Sequence, residues 1–140
     1  MSRYLLDTNV VSEFRKPIVD QSVVRWKNSV PILSIYLSVL TFGEITKGID
    51  KMEREAPEQA LLLEAWRDQL YDDYSAMRRI LDIDVHVANT WGNLFSIRKV
   101  SFPDSFIAAT ALEHNLTLVT RNEKHFGGLG IRVLNPFTPT

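Results

Sequence analysis

Asp7, Glu44 and Asp104 are the side chains whose type and setting best suit chemistry. Asp7 closes the apolar run Tyr4-Leu5-Leu6, so a carboxylate stands where a buried strand meets its following loop. In open α/β sheets, ligands bind outside the carboxyl ends of the strands. Glu44 and Asp104 are far off in sequence, each inside an apolar stretch that reads as a core helix, and both can converge on Asp7. Carboxylates within about 4 Å of one another repel by about 4 kcal/mol per pair at an effective dielectric near 20, unless a cation offsets the charge. Magnesium takes oxygen ligands and keeps several waters, which suits Asp and Glu around an open cleft that must also admit a phosphate. The chemistry expected of such a site is metal-assisted phosphodiester hydrolysis, which needs no side-chain nucleophile.

Local pattern also offers plainer roles. Thr41 followed by Glu44 has the spacing of a capping box, and Asp104 stands where a helix-capping acid would stand before Phe106–Leu112. Hydrogen-bonding residues flank the acids: Thr8 follows Asp7, and Thr120 follows a second apolar run. A Thr after a strand commonly makes a local turn or cap bond, and each can be read that way.

The elements that must position these residues are short. Residues 3–6 read as a buried strand and Thr8–Phe14 as a helix ended by Pro17. A second helix is expected over Gln21–Asn28, and strand within Leu33–Val39. The next helix begins near Thr41, a charged connection spans Lys51–Pro57, and Pro57–Tyr74 completes a mid-chain helical hairpin. Ile80–Ile83 reads as strand, Asp84 as a cap, and Val87–Ile97 as helix. The most apolar helix, around Phe106–Leu112, ends near Asn115; strands follow at Leu116–Val119 and Ile131–Leu134, with a helical turn at Asn122–Phe126 between them. Strands alternating with helices predict an α/β fold, a central parallel sheet flanked by helices. Gly127-Gly128-Leu129-Gly130 lacks the phosphate-loop lysine pattern and reads as a connector, and the Pro136–Thr140 tail is too short for a function of its own.

Composition bounds the rest. A chain of 140 residues, 45% hydrophobic, suits one domain over 1–140 with one substantial core. With 24% charged residues and a net charge of -1, it is neither disordered nor strongly basic, so any nucleic-acid surface must be local. The absence of cysteine excludes disulfides, zinc-thiolate sites and thiol nucleophiles. Neither a leader nor an apolar run near the roughly 20 residues of a membrane span is visible, so a cytoplasmic protein without membrane contact is expected. His86, His114 and His125 show no metal-ligand spacing, and Trp26, Trp66 and Trp91 sit in helical apolar patterns expected of core or interface residues.

Three segments, Leu5-Leu6-Asp7-Thr8-Asn9-Val10-Val11-Ser12-Glu13, Tyr36–Ile45 and Pro103–Leu112, resemble the PIN-domain ribonucleases, and within them the VapC and FitB toxins. The resemblance continues through Leu116–Asn122 and Leu134-Asn135-Pro136. It implies a PIN-like parallel sheet with acids at its carboxyl edge, a Mg2+ or Mn2+ site, hydrolysis of RNA, inhibition by a small VapB-like antitoxin, and a homodimer. By position, Asp7 and Asp104 would be the direct metal ligands, Glu44 would complete the pocket, and Thr8 and Thr120 would support Asp7. The family's fourth acid is replaced by Asn122, which can ligate through its carbonyl but brings no charge, and His125 replaces an Asp that commonly precedes the Phe. Arg121, Lys124 and Arg98 are the cations expected to hold the RNA backbone.

Two other classes bear on the same residues. Phosphatases of the haloacid-dehalogenase type also start from an Asp at a strand end, but need a second Asp where Asn9 stands. An inactive nucleic-acid-binding or partner-binding module is the non-enzymatic alternative, suggested by the missing fourth acid.

Overall fold

Leu5 and Leu6, adjacent in the first strand, are packed into different cores, because successive side chains of a strand point to opposite faces. In this computed structural model residues 2–138 are described; Met1 and the end of the Pro136–Thr140 tail, Pro139 and Thr140, lie outside them. The sheet has five strands: β1 (Tyr4–Leu6), β2 (Ile35–Ser38), β3 (Ile80–Leu81), β4 (Thr117–Val119) and β5 (Val133–Leu134), in the order β3-β2-β1-β4-β5. Every strand pairing is parallel, with Leu5 opposite Tyr36 on one side and Leu118 on the other. The helices are α1 (Thr8–Glu13), α2 (Gln21–Asn28), α3 (Val39–Glu55), α4 (Pro57–Ala76), α5 (Val85–Phe95) and α6 (Asp104–Glu113). The parallel α/β architecture and the mid-chain hairpin, α3 against α4, are as the residue patterns predict.

One face of the sheet is covered by α1 to α4. There Leu6, Ile35, Leu37 and Val119 meet Val10, Val23, Ile45, Ile49, Ala60 and Leu63. On the other face Leu5, Leu118 and Phe126 meet Ile107, Ala108 and Ala111 of α6, whose small side chains let the helix lie close to the sheet. Full burial of each Leu or Ile contributes about 1.5–3 kcal/mol, so both layers fix the strand ends firmly.

Several boundaries differ from the sequence expectations, for local reasons. The third helix begins at Val39, immediately after β2, because the Ser38 side chain accepts the Leu40 N–H and caps it. Thr41 is therefore an interior helix residue, fully buried, and the capping box with Glu44 does not form. The charged stretch Lys51–Pro57 is not a connection: α3 runs through Glu55, and Ala56 alone breaks it. A residue before proline is disfavoured in the helical region, and proline is well suited to open the next helix, so a single non-helical residue suffices. Asp84 caps α5 through a bond from the Val87 N–H, as its position suggests, but the helix starts at Val85 and stops at Phe95. Gly128 and Gly130 have φ of 80° and 75°, a region in which glycine alone is unstrained, and the loop between Phe126 and β5 turns on them.

Candidate active site

The strand order reverses between β1 and β4: from β1 the chain winds outward through β2 and β3, then returns to the other side for β4 and β5. A crevice at such a switch point, outside the carboxyl ends of the strands, is where open α/β sheets bind ligands. Asp7 follows β1 and Thr120 follows β4, so they flank this crevice, and the Asp7 N–H donates to Val119 O at 2.8 Å.

Asp7 is 3% exposed and its two carboxylate oxygens are held differently. Oδ1 accepts the Thr8 N–H at 2.8 Å, while Oδ2 accepts the Thr120 hydroxyl at 2.8 Å and the Asn9 amide at 3.3 Å. Thr120, itself fully buried, also accepts the Asn122 N–H at 3.0 Å, which ties the start of the following turn to the carboxylate. Asn9 accepts the Arg121 N–H at 3.2 Å, so the position where a haloacid-dehalogenase site needs its second acid is spent on bracing the β4 loop.

Glu44 projects from the second turn of α3 and accepts the Thr8 hydroxyl at 2.5 Å; that hydroxyl also lies 3.0 Å from the hydroxyl of Thr41. Thr8 therefore supports Asp7 through its backbone and Glu44 through its side chain, whereas the sequence reading gave its support to Asp7 alone. Asp104 is the first residue of α6. Pro103 holds the cap position without a side-chain bond, so Asp104 is not the helix cap, and its carboxylate stands 3.9 Å from His125 Nδ1.

Burial pushes the Asp7 carboxyl up to about 6, and the charges of Asp104 and Glu44 push the same way, against the hydrogen bonds from Thr120 and Thr8. Both other acids thus act electrostatically on Asp7. A perturbed acid with like-charged neighbours in a crevice is a frequent mark of a functional site. The donors are all oxygen, with Thr and Asn in support and no thiolate, which suits a hard cation. Among the described residues no group of three or more His, Asp or Glu is drawn tightly enough to enclose an ion.

The other expected site residues are placed less simply. Asn122 is exposed and is joined to the site by its backbone N–H, not its side-chain amide. Arg98 is not free to hold RNA: its guanidinium donates to the carbonyls of Gly127 and, at 2.8 Å, His125, stapling the end of α5 to the glycine loop. Arg121 lies 3.7 Å from the centre of the Phe137 ring and 3.9 Å from the buried Glu13, so it also has a structural engagement. Lys124 is exposed and lines a cavity of about 370 Å³ with Lys99, Ser101 and His125, beside Asp104.

Glu13 is a buried acid that the sequence reading did not single out. Lys16 and the Asp20 N–H hold its carboxyl below the usual range by direct bonds, at 2.9 and 3.0 Å, so it anchors the α1–α2 loop. Of the three tryptophans, Trp26 meets Tyr4 edge to face and Trp66 packs on the first core, as expected of core residues. Trp91 stacks on Phe106 at 4.6 Å at the surface.

A family model described as the PIN domain matches residues 4–127. Toxin FitB of Neisseria gonorrhoeae is 32% identical over 138 residues, covering 95% of this chain and 97% of FitB. A VapC ribonuclease, Y4jK of Sinorhizobium fredii, is 28% identical over 140 residues, covering 96% and 98%. Among solved structures, FitAB bound to a DNA fragment superposes with a TM-score of 0.85 at 30% identity, covering 98% of this chain and 97% of that one.

Proposed function

Because this chain belongs to the PIN-domain family, of the type represented by the VapC and FitB toxins, we propose that it is the toxin of a toxin–antitoxin pair and a metal-dependent endoribonuclease. The observation that carries the chemistry is Asp7: a buried carboxylate at the switch point of the sheet, held by Thr8 and Thr120 and raised to about 6 with Asp104 and Glu44 contributing. Asp7 and Asp104 would hold a divalent cation, Mg2+ or Mn2+, and Glu44 would complete the pocket. When bound, such an ion would supply Lewis-acid activation of the scissile phosphate and of an attacking water. The chain's own part is to orient the acids: Thr120 and the Thr8 N–H fix Asp7, and the Thr8 hydroxyl fixes Glu44. Asn122 would assist through its backbone N–H, which donates to the Thr120 hydroxyl that holds Asp7. Lys124 supplies a free cation for the RNA backbone, Arg121 a partly engaged one.

The relatives named as toxins, and the solved FitAB complex, support a cognate antitoxin of the VapB kind. Exposed Leu61, Leu62 and Tyr71 on α4, and Trp91 and Leu112 on α5 and α6, provide apolar area for the antitoxin and for a homodimer. Among the described residues no helix is long and apolar enough to cross a membrane.

The test is incubation of purified protein with total RNA in Mg2+, in Mn2+ and in EDTA. Cleavage should need the metal and be lost in Asp104→Asn. RNA binding without product under every metal condition would instead favour the inactive binding module, and a trapped phosphoryl group on Asp7 would favour phosphatase chemistry.

A further inference from the structure

Phe102 is 67% exposed, two residues before Asp104, and its position is prepared by a chain of aromatic contacts. Its ring meets Phe106 edge to face at 5.9 Å; Phe106 is stacked on Trp91, and the Trp91 indole N–H donates to the buried Ser105 at 3.1 Å. The solvent side of Phe102 faces a cavity of about 360 Å³, lined by Leu40, Gly43, Glu44, Lys47 and Pro103. Phe102 and the site residue Glu44 thus line one cavity, and Lys47, one turn beyond Glu44 on the same face of α3, lines it with them. Lys47 forms no ion pair among the described residues. Gly43 leaves the cavity open, since a Cβ built there would meet nothing within 4 Å.

We propose that this cavity is the subsite for the nucleobase flanking the scissile phosphate, with Phe102 as its stacking platform and a specificity-determining contact. The inference rests on the ribonuclease reading and adds a substrate class: RNA whose base at that position is unpaired, because a base can lie on an aromatic side chain only when it has left its own stack. The charge pattern favours a nucleotide over a protein segment. Lys47 shares one cavity with Glu44, and Lys99 and Lys124 share the other with His125, the neighbour of Asp104, so each cavity carries cations and a link to a site acid. The segment 101–104 divides them, with Ser101 in one and Phe102 and Pro103 in the other.

The experiment uses a short RNA oligonucleotide spanning a cut mapped on total RNA, intact or with an abasic nucleotide on either side of the cut. With Phe102→Ala, kcat/KM on intact RNA is expected to fall by about 5- to 150-fold, the range of one lost base–aromatic stack. One abasic position should cause a similar fall in the wild type and no further fall in Phe102→Ala. Phe102→Tyr should keep the wild-type rate, and Gly43→Leu, which places a side chain in the cavity opposite the ring, should reproduce the loss. An unchanged rate in Phe102→Ala, or an abasic penalty that persists undiminished in it, would overturn the subsite while leaving the nuclease reading standing. A Phe102→Ala protein that changes its oligomeric state by light scattering would also overturn it, by assigning the ring to an interface between copies. Failure of the wild type to cut any RNA would overturn the nuclease reading and the subsite with it.

Discussion

Replacing Asp7 by Asn should make the metal-free protein more stable at neutral pH while removing its activity, and the size of the gain follows from the site. The Asp7 carboxyl is pushed from 3.8 to about 6, chiefly by burial. Its folded-state pKa lies above its unfolded value, so the neutral acid is the form the fold prefers. Stability is fully present below about pH 4 and is lost as the pH rises through about 6. At about 1.4 kcal/mol per pH unit, ionised Asp7 costs about 3 kcal/mol by pH 7.5. Asparagine removes that cost but accepts with only one oxygen, so one of the Thr8, Thr120 and Asn9 donors is mismatched, at about 1 kcal/mol. The net gain is about 2 kcal/mol, or about 4–8 °C in melting temperature for a chain of this size. Thermal unfolding in EDTA between pH 4 and 7.5 reads it directly: at pH 4 the variant should trail by the donor mismatch alone, about 1 kcal/mol, and it should overtake the wild type as the pH rises. Added Mg2+ should stabilise the wild type and not the variant. A variant no more stable than wild type at pH 7.5, or a gap that does not shrink on acidification, would refute the view that Asp7 is held as an unfavourable buried charge awaiting a cation.

Thr8→Val removes the hydroxyl shared by Glu44 and Thr41, so about 10-fold in cleavage rate and about 1–2 kcal/mol in stability should be lost, by RNA cleavage assay and denaturant titration. Lys124→Ala should weaken RNA binding and lower the slope of log affinity against log salt by about 1, measured by fluorescence anisotropy. Arg98→Met, by contrast, should leave that slope unchanged and speed proteolysis of the loop at Gly127, because its guanidinium is spent on backbone carbonyls. Gly48 lies within α3 where an added Cβ meets nothing, so Gly48→Ala should stabilise the fold by about 1 kcal/mol, seen as a higher urea midpoint.

The parallel α/β class was legible because buried strands and amphipathic helices write themselves in local apolar runs such as Tyr4–Leu6 and Ile107–Leu112. Asp7, Glu44 and Asp104 were legible too, from an acid at a strand end and acids in apolar helices, strengthened by the resemblance of the surrounding segments. Helix boundaries near Thr41 and Lys51–Pro57 are not legible in local pattern, because capping depends on which residue first leaves the preceding element. Ser38 and Ala56 do so only once β2 and Pro57 are in place.

Which cations are free was beyond local pattern. Arg98 and Lys124 look alike in sequence, yet folding spends one on the carbonyls of a glycine loop and leaves the other in solvent. The amino-acid sequence by itself determined the strand-end acid, the alternation of elements and the oxygen-only chemistry of the donors, since these reside in residue type and short-range spacing. Only the tertiary structure decided that Thr120, just past a strand more than a hundred residues away, holds Asp7, that Thr8 serves Glu44, and that Phe102 shares a cavity with Glu44. Those contacts join elements adjacent in the sheet and remote in the chain, and burial at the switch point, where water is excluded, is what sets the charge of Asp7.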